Sequence, residues 1–330
     1  MTLQLDSTTA AIGPVDLDRL PPEKAQPTRA WRPRTVPADR DAAPLPLPPR
    51  SFSEVEVAYD SADGVYWQWM RPQRPCFTPE LLASARASLD QVRRLAGAPQ
   101  GGLRYVVSGS RVPGVFNLGG DLPLFAELIA AGDREGLRRY AESCIEVQHA
   151  RASHMGRSYV SITLVQGDAL GGGFECALSD DVIIAEKGSR FGLPEVLFGL
   201  FPGMGAYSFL SRKLGEAQAE RMILSGEIYS AEELHELGLV ARLAEPGAGE
   251  AAVLDFIRQE QRSYRARTAL GRIRNALAPV TWAELRSVTE TWVETALTLG
   301  AAERRRMLRL AAAQDRRSGQ ADAAPAAAVG

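Results

Sequence analysis

Polar and apolar residues alternate through SEVEVAYD (53–60), apolar residues crowd VYWQWMRP (65–72), and the turn pair Asp63-Gly64 lies between. That pattern predicts two strands joined as a β-hairpin. From residue 78 the apolar spacing changes to that of a helix over about 79–95, then a strand at 103–108, a long loop, and helices over about 122–154. An apolar strand, YVSITLV (159–165), runs into a tight glycine turn, a short helix and a further strand, DVIIA (181–185). Strands that alternate with helices argue for an α/β layer fold whose reactive groups sit on loops beyond the strand ends. Beyond about residue 250 the pattern is helix after helix, including 282–299 and 301–315, with Leu, Ala and Trp at helical spacing. The reading is therefore an α/β core over 51–245 and a helical C-terminal region over 246–316, placed to close over a site or to pack on another subunit.

Composition fixes the ends. Residues 1–50 hold ten of the 21 prolines and no Phe or Tyr, too little apolar surface to offset ordering entropy, so a disordered Pro-rich leader is expected there. SGQADAAPAAAVG reads likewise as a disordered tail over 317–330. A formal charge of −2 gives no global electrostatic reason to expect nucleic acid or an anionic membrane as partner. Three cysteines, Cys76, Cys144 and Cys176, fit a reducing compartment better than a disulfide framework. With neither a signal peptide nor a run of about 18 apolar residues, a cytoplasmic protein without a membrane span is expected.

The chemistry gathers between residues 167 and 205. Directly after the apolar strand comes the triplet Gly171, Gly172, Gly173, then FECALSD. A strand that turns through glycines into a helix leaves backbone N–H groups free where the helix dipole favours negative charge. Neither GxGxxG nor GxxxxGK[ST] is present, so a nucleotide loop is not indicated. Glu175 lies in an apolar helix start and Glu195 follows Pro194 in FGLPEVLFGLFPG. Carboxyls among such neighbours lose solvation, which raises their pKa toward neutral pH. Either one alone reads as an ordinary salt-bridged glutamate. Together, beside a backbone anion site, they supply the base, acid and oxyanion donors that proton removal next to a thioester carbonyl requires.

GDALGGGFE (167–175), LPE (193–195), FPGMGA (201–206) and SGEIYSAEELHELGLV (225–240) together resemble the signature of the crotonase, or enoyl-CoA hydratase, superfamily. The resemblance covers roughly residues 100–245. Within that superfamily FNLGGDL (116–122), PEVLFGLFPGMGAYSFL (194–210) and VTETWVETALTLG (288–300) look most like the bacterial diffusible signal factor synthases, which make cis-2-unsaturated fatty acid signals. The resemblance implies the ββα spiral fold of crotonases, catalytic Glu175 and Glu195, and oxyanion N–H groups from Leu118 or its neighbour Gly119 and from Gly172. It further implies an acyl pocket lined by Leu170, Gly171, Met204 and Trp292. The implied substrate is a medium-chain 3-hydroxyacyl thioester of acyl carrier protein or CoA, dehydrated and then hydrolysed to the free acid, with no metal or redox cofactor. Trimer or hexamer assembly and association with a sensor protein also follow from the resemblance. FNLGGDLPLF departs from the alanine-rich loop of CoA-using hydratases, which leaves the carrier open.

Two other readings stand beside this one. A plain enoyl-CoA hydratase or isomerase of fatty acid or polyketide metabolism would share the carboxylates and release no free acid. A binding module that sequesters a sensor or carrier protein would need neither carboxylate. His149 and His154, five apart, face different sides of a helix and lack a third zinc ligand. Ser108, Ser110 and Ser161 have no G-x-S-x-G context. ERRRMLR (303–309) reads as a solvated helix face, or as a docking patch for an acidic carrier protein.

Overall fold

The expected hairpin opens the folded body: β1 (Val55–Asp60) and β2 (Val65–Met70) pair antiparallel, and Gly64 takes the positive φ of 67° that their turn needs. The computed structural model describes residues 51–98 and 102–322, so the leader read at 1–50 and residues 323–330 lie outside the described residues. After the hairpin, α1 (Pro79–Gly97) starts at Thr78, whose hydroxyl accepts the N–H of Leu81.

The chain next repeats one unit three times within the described residues: a strand in a first sheet, a short strand in a second sheet, then helix. The first turn is β3 (Tyr105–Ser110), β4 (Val115–Asn117), α2 (Leu122–Ala131) and α3 (Arg134–Ala152). The second is β5 (Val160–Val165), β6 (Asp168–Leu170) and α4 (Gly172–Leu178). The third is β7 (Val182–Glu186), β8 (Arg190–Gly192), a 3-10 turn at Pro194–Phe198, α5 (Ala206–Leu214) and α6 (Glu216–Ser225). β9 (Ile228–Ser230), α7 (Ala231–Glu236) and β10 (Arg242–Ala244) close the core. The first sheet runs β1-β2-β3-β5-β7-β10, parallel from β2 onward, and the second β4-β6-β8-β9, parallel except for its last pair. This alternation between two sheets is the ββα spiral.

Sequence explains why β5 and β7 lie inside the sheet, with a strand on either side. Every residue of VSITLV and VIIAE is buried, as a strand covered on both faces demands. α8 (Gly249–Glu260), α9 (Tyr264–Leu277), α10 (Trp282–Leu297) and α11 (Ala301–Asp322) form the helical C-terminal region. α11 continues to Asp322, into the stretch read as tail, consistent with the strong helix propensity of its Ala, Arg and Gln residues. The last two helices fold back on their own chain: Trp292, Val293, Leu299, Met307 and Ala311 share one buried cluster with Leu122 and Phe125 of α2. No described helix is long and apolar enough to cross a membrane.

Candidate active site

The three glycines after β6 each answer a different steric demand. Gly171 caps α4 at φ 50°, ψ −126°, a backbone conformation closed to side chains, and its N–H is tied to the carbonyl of Gly192 at 2.8 Å. A Cβ on Gly173 would lie 2.0 Å from the carbonyl oxygen of Asn117 in β4, and one on Gly172 would lie 2.5 Å from Sδ of Met204. The turn thus presses α4 against the loop after β4, and Glu175 falls one turn into the helix. Its side chain is 1% exposed, and Oε1 accepts the N–H groups of Met204 at 2.8 Å and Ala206 at 2.9 Å, at the start of α5.

Glu195 arrives from the 3-10 turn beyond β8. The residue as a whole is partly exposed, yet its Oε2 is buried and has no hydrogen-bond partner. The carboxyl lies against Gly171, where a Cβ would come within 2.5 Å of Oε1. Burial pushes Glu175 up to about 7, opposed by the N–H donors around it. Burial, then the charge of Glu175, pushes Glu195 up to about 8. The two carboxyls therefore titrate as a pair near neutral pH, with the N–H groups of Met204 and Ala206 favouring the charged form of Glu175.

Backbone donors complete the site, with a correction to the sequence reading. The N–H of Leu118 goes to the carbonyl of Pro75 at 2.7 Å and that of Gly119 to Oδ1 of Asn117 at 2.8 Å. Neither is free to meet a ligand. Asp121 N–H goes to the hydroxyl of Tyr140 at 3.1 Å, which leaves Gly120 as the residue of this loop whose N–H has no partner among the described residues. Gly120 and Gly172, the first residue of α4, line the same pocket as both carboxyls. The oxyanion donors the geometry offers are thus Gly120 and Gly172. No sequence signal separated Gly120 from its neighbours, because the partners that occupy Leu118 and Asp121 come from distant segments.

The pocket is an open cleft, with about 580 Å³ of empty space when the solvent at its mouth is included. Of the residues expected in its acyl wall, Gly171, Met204 and Trp292 line it, whereas Leu170 packs with Val115 and Leu118 in a separate small cluster. That too is a correction: Leu170 is not among the residues that line the cavity. Sequence reasoning missed Phe125, Tyr140, Cys144, Phe198 and Leu200, which form much of the apolar wall. The helical spacing of Phe125, Tyr140 and Cys144 marks them only as inward-facing, and a pocket wall reads like a core. Trp292 lies edge-on to Phe125 at 5.0 Å and rests on Gly203, so α10 of the C-terminal region closes the cavity within one chain. Among the described residues no three His, Cys, Asp or Glu side chains gather as metal ligands would.

The raised carboxyls set a pH dependence of stability. A carboxyl raised in the folded state favours folding below its unfolded pKa of about 4.3, and that contribution is lost as pH rises through the folded value. The melting temperature of the wild type should therefore fall between pH 5 and pH 8, and that of Glu175→Gln should fall less. The gap expected at pH 8 is on the order of 2 kcal/mol, and identical melting curves at both pH values would refute the burial argument.

Comparison with known proteins bears on the family and the fold. The family model "Enoyl-CoA hydratase/isomerase" matches residues 71–259, more than half of the chain. A 2,3-dehydroadipyl-CoA hydratase of Escherichia coli is 45% identical over 80 residues, 24% of this chain and 31% of the relative. The chain spans about a third of the length of such curated relatives. Among solved structures, an enoyl-CoA hydratase from Bacillus halodurans superposes with a TM-score of 0.67 at 20% identity, covering 78% of this chain and all of that one. DspI of Pseudomonas aeruginosa superposes with a TM-score of 0.53 at 26% identity, covering 73% of this chain and 95% of its own. With the spiral fold, the paired glutamates and the family match in agreement, the chain belongs to the enoyl-CoA hydratase/isomerase family of the crotonase superfamily.

Proposed function

We propose that the protein dehydrates a medium-chain 3-hydroxyacyl thioester and then hydrolyses that thioester, releasing a free cis-2-unsaturated fatty acid signal. The observation that carries the first step is the convergence of Glu175, Glu195 and the Gly120 and Gly172 N–H groups on one apolar cavity. The thioester carbonyl oxygen takes the two N–H groups, which lowers the cost of the enolate formed when C2 loses its proton. One carboxylate takes that proton and the partner, protonated, assists the 3-hydroxyl as it leaves as water. Hydration runs the same step backward.

Hydrolysis rests on two supports: the resemblance to signal synthases in FNLGGDL, PEVLFGLFPGMG and VTETWVETALTLG, and the unpartnered Oε2 of Glu195, which in its ionised form takes a proton from an attacking water and returns it to the thiolate as the acyl–sulfur bond breaks. The tetrahedral intermediate of hydrolysis places its charge on the same oxygen as the enolate, so one donor pair serves both steps. Family-type hydration or isomerisation without hydrolysis is the second reading, favoured by the hydratase relatives. Assembly into trimers or hexamers belongs to this proposal, since α9 buries none of its residues and exposes Leu270, Ile273 and Leu277 at helical spacing. So does association with a sensor protein, which rests on the resemblance alone.

Mass spectrometry of the products decides the chemistry, with the 3-hydroxyacyl group presented both on CoA and on acyl carrier protein. Free 2-unsaturated acid should accumulate over many turnovers, and the faster donor identifies the carrier. Enoyl thioester without free acid would leave the hydratase reading in place of the synthase, and no turnover of either donor would sink both.

A further inference from the structure

We infer that Tyr140 is a positioning residue for the oxyanion donor, acting through the backbone that carries Gly120. The inference rests on the proposed thioester chemistry and adds to it a residue remote from both carboxylates in sequence. Tyr140 lies on α3, and its hydroxyl sits at a junction. It donates to the carbonyl of Phe77 at 2.5 Å and accepts the N–H of Asp121 at 3.1 Å.

Those two bonds fix the loop from both sides of its free donor. Upstream, Phe77 N–H binds the carbonyl of Gly119 at 2.7 Å and Leu118 N–H binds the carbonyl of Pro75 at 2.7 Å, so the segments around Phe77 and Gly119 are zipped together. Downstream, Asp121 caps α2 through Leu124 N–H at 3.3 Å and is held by Arg74 through two bonds, at 3.1 and 2.5 Å. The peptide between Gly119 and Gly120 is therefore the one in this loop whose N–H is left for a ligand, with every neighbour anchored. The Tyr140 hydroxyl joins the two anchors, since it touches the residue after the donor and the segment around Phe77 that holds the residue before it. The ring is gripped as well, edge-on against Phe125 at 5.0 Å. A donor contributes fully only when its direction is fixed before the charge develops, and the hydroxyl supplies that constraint.

Tyr140→Phe retains the ring and its packing and removes the junction. The expected result is a fall in kcat of about 10-fold or more with KM changed less than about threefold, since donors preorganised for the transition state act mainly on kcat. A merely structural tyrosine would move melting temperature without that split. Calorimetry with a matched pair of acyl-CoA ligands, one a thioester and one a thioether lacking the carbonyl oxygen, gives a readout independent of turnover. The wild type should prefer the thioester, and Tyr140→Phe should lose most of that preference while binding the thioether as before. Arg74→Gln, which loosens the same loop from an exposed side chain, should show a weaker form of the same loss and covers the case in which Tyr140→Phe does not fold. If the wild type does not distinguish the two ligands, the reading of the site fails. If it does and both variants distinguish them equally well, the positioning role alone is overturned.

Discussion

Glu175→Gln and Glu195→Gln should each fold and each lose about 10²- to 10⁴-fold in turnover, the range that general acid-base groups contribute. An amide preserves size and hydrogen-bonding shape: at position 175 its oxygen still accepts the N–H groups of Met204 and Ala206 that now meet Oε1. Proton transfer is what it removes. The two positions should differ in secondary effects. Glu195 has an oxygen without a partner in a buried place, so its amide introduces an N–H₂ group where no acceptor waits, and Glu195→Gln gains less stability at alkaline pH than Glu175→Gln. Because the charge of Glu175 acts on Glu195, the pH profile of the wild type should show apparent values that belong to the pair, and either single variant should collapse it to one titration. Steady-state rates from pH 5 to pH 9, with circular dichroism to establish folding, check both expectations. A folded variant that keeps more than about a tenth of wild-type turnover removes its residue from the mechanism.

The parts legible in the sequence are those written locally. The hairpin around Asp63-Gly64, the buried runs of β5 and β7 and the glycine triplet before Glu175 each declare themselves within a dozen residues, because turn chemistry, apolar period and backbone freedom are short-range properties. The pairing of Glu175 with Glu195 was legible only through the spaced motifs, since nothing local says that the turn after β8 brings Glu195 against Gly171. What could not be read depends on contacts between distant segments. Leu118, Gly119 and Gly120 are equivalent candidates in the string FNLGGDL. They separate only when Pro75 takes the first N–H and Asn117 the second. Leu170 and Phe125 fail in opposite senses: Leu170 has the character of a pocket residue and packs aside, whereas Phe125 has that of a core residue and lines the cavity. Apolar periodicity reports that a side chain turns inward and is silent on whether the space it meets is filled.

Alanine at the three successive glycines should give three distinct outcomes, the sharpest of them at Gly171. With φ 50° and ψ −126°, Gly171→Ala incurs about 1–3 kcal/mol of backbone strain, and its methyl group would stand 2.5 Å from Oε1 of Glu195. Relief of that clash must displace either the Glu195 carboxyl or the turn before α4, and in the proposed reaction loss of one oxyanion donor alone costs about 10²- to 10³-fold. Turnover should therefore fall by at least about 10²-fold in a protein that still folds. Gly173→Ala meets the Asn117 carbonyl at 2.0 Å, a backbone atom of β4 that cannot swing aside, so its main defect should be in stability and soluble yield. Gly172→Ala meets the thioether of Met204 at 2.5 Å, with the Cα of Gly119 next at 3.4 Å. The end of a methionine side chain is flexible and can give way. Gly172→Ala should consequently keep its activity within about 10-fold of wild type, well short of the loss expected when an oxyanion donor is removed. Melting temperature and kcat/KM measured across the series test the order. Wild-type turnover in Gly171→Ala would show that neither Glu195 nor the turn before α4 is held as the geometry requires.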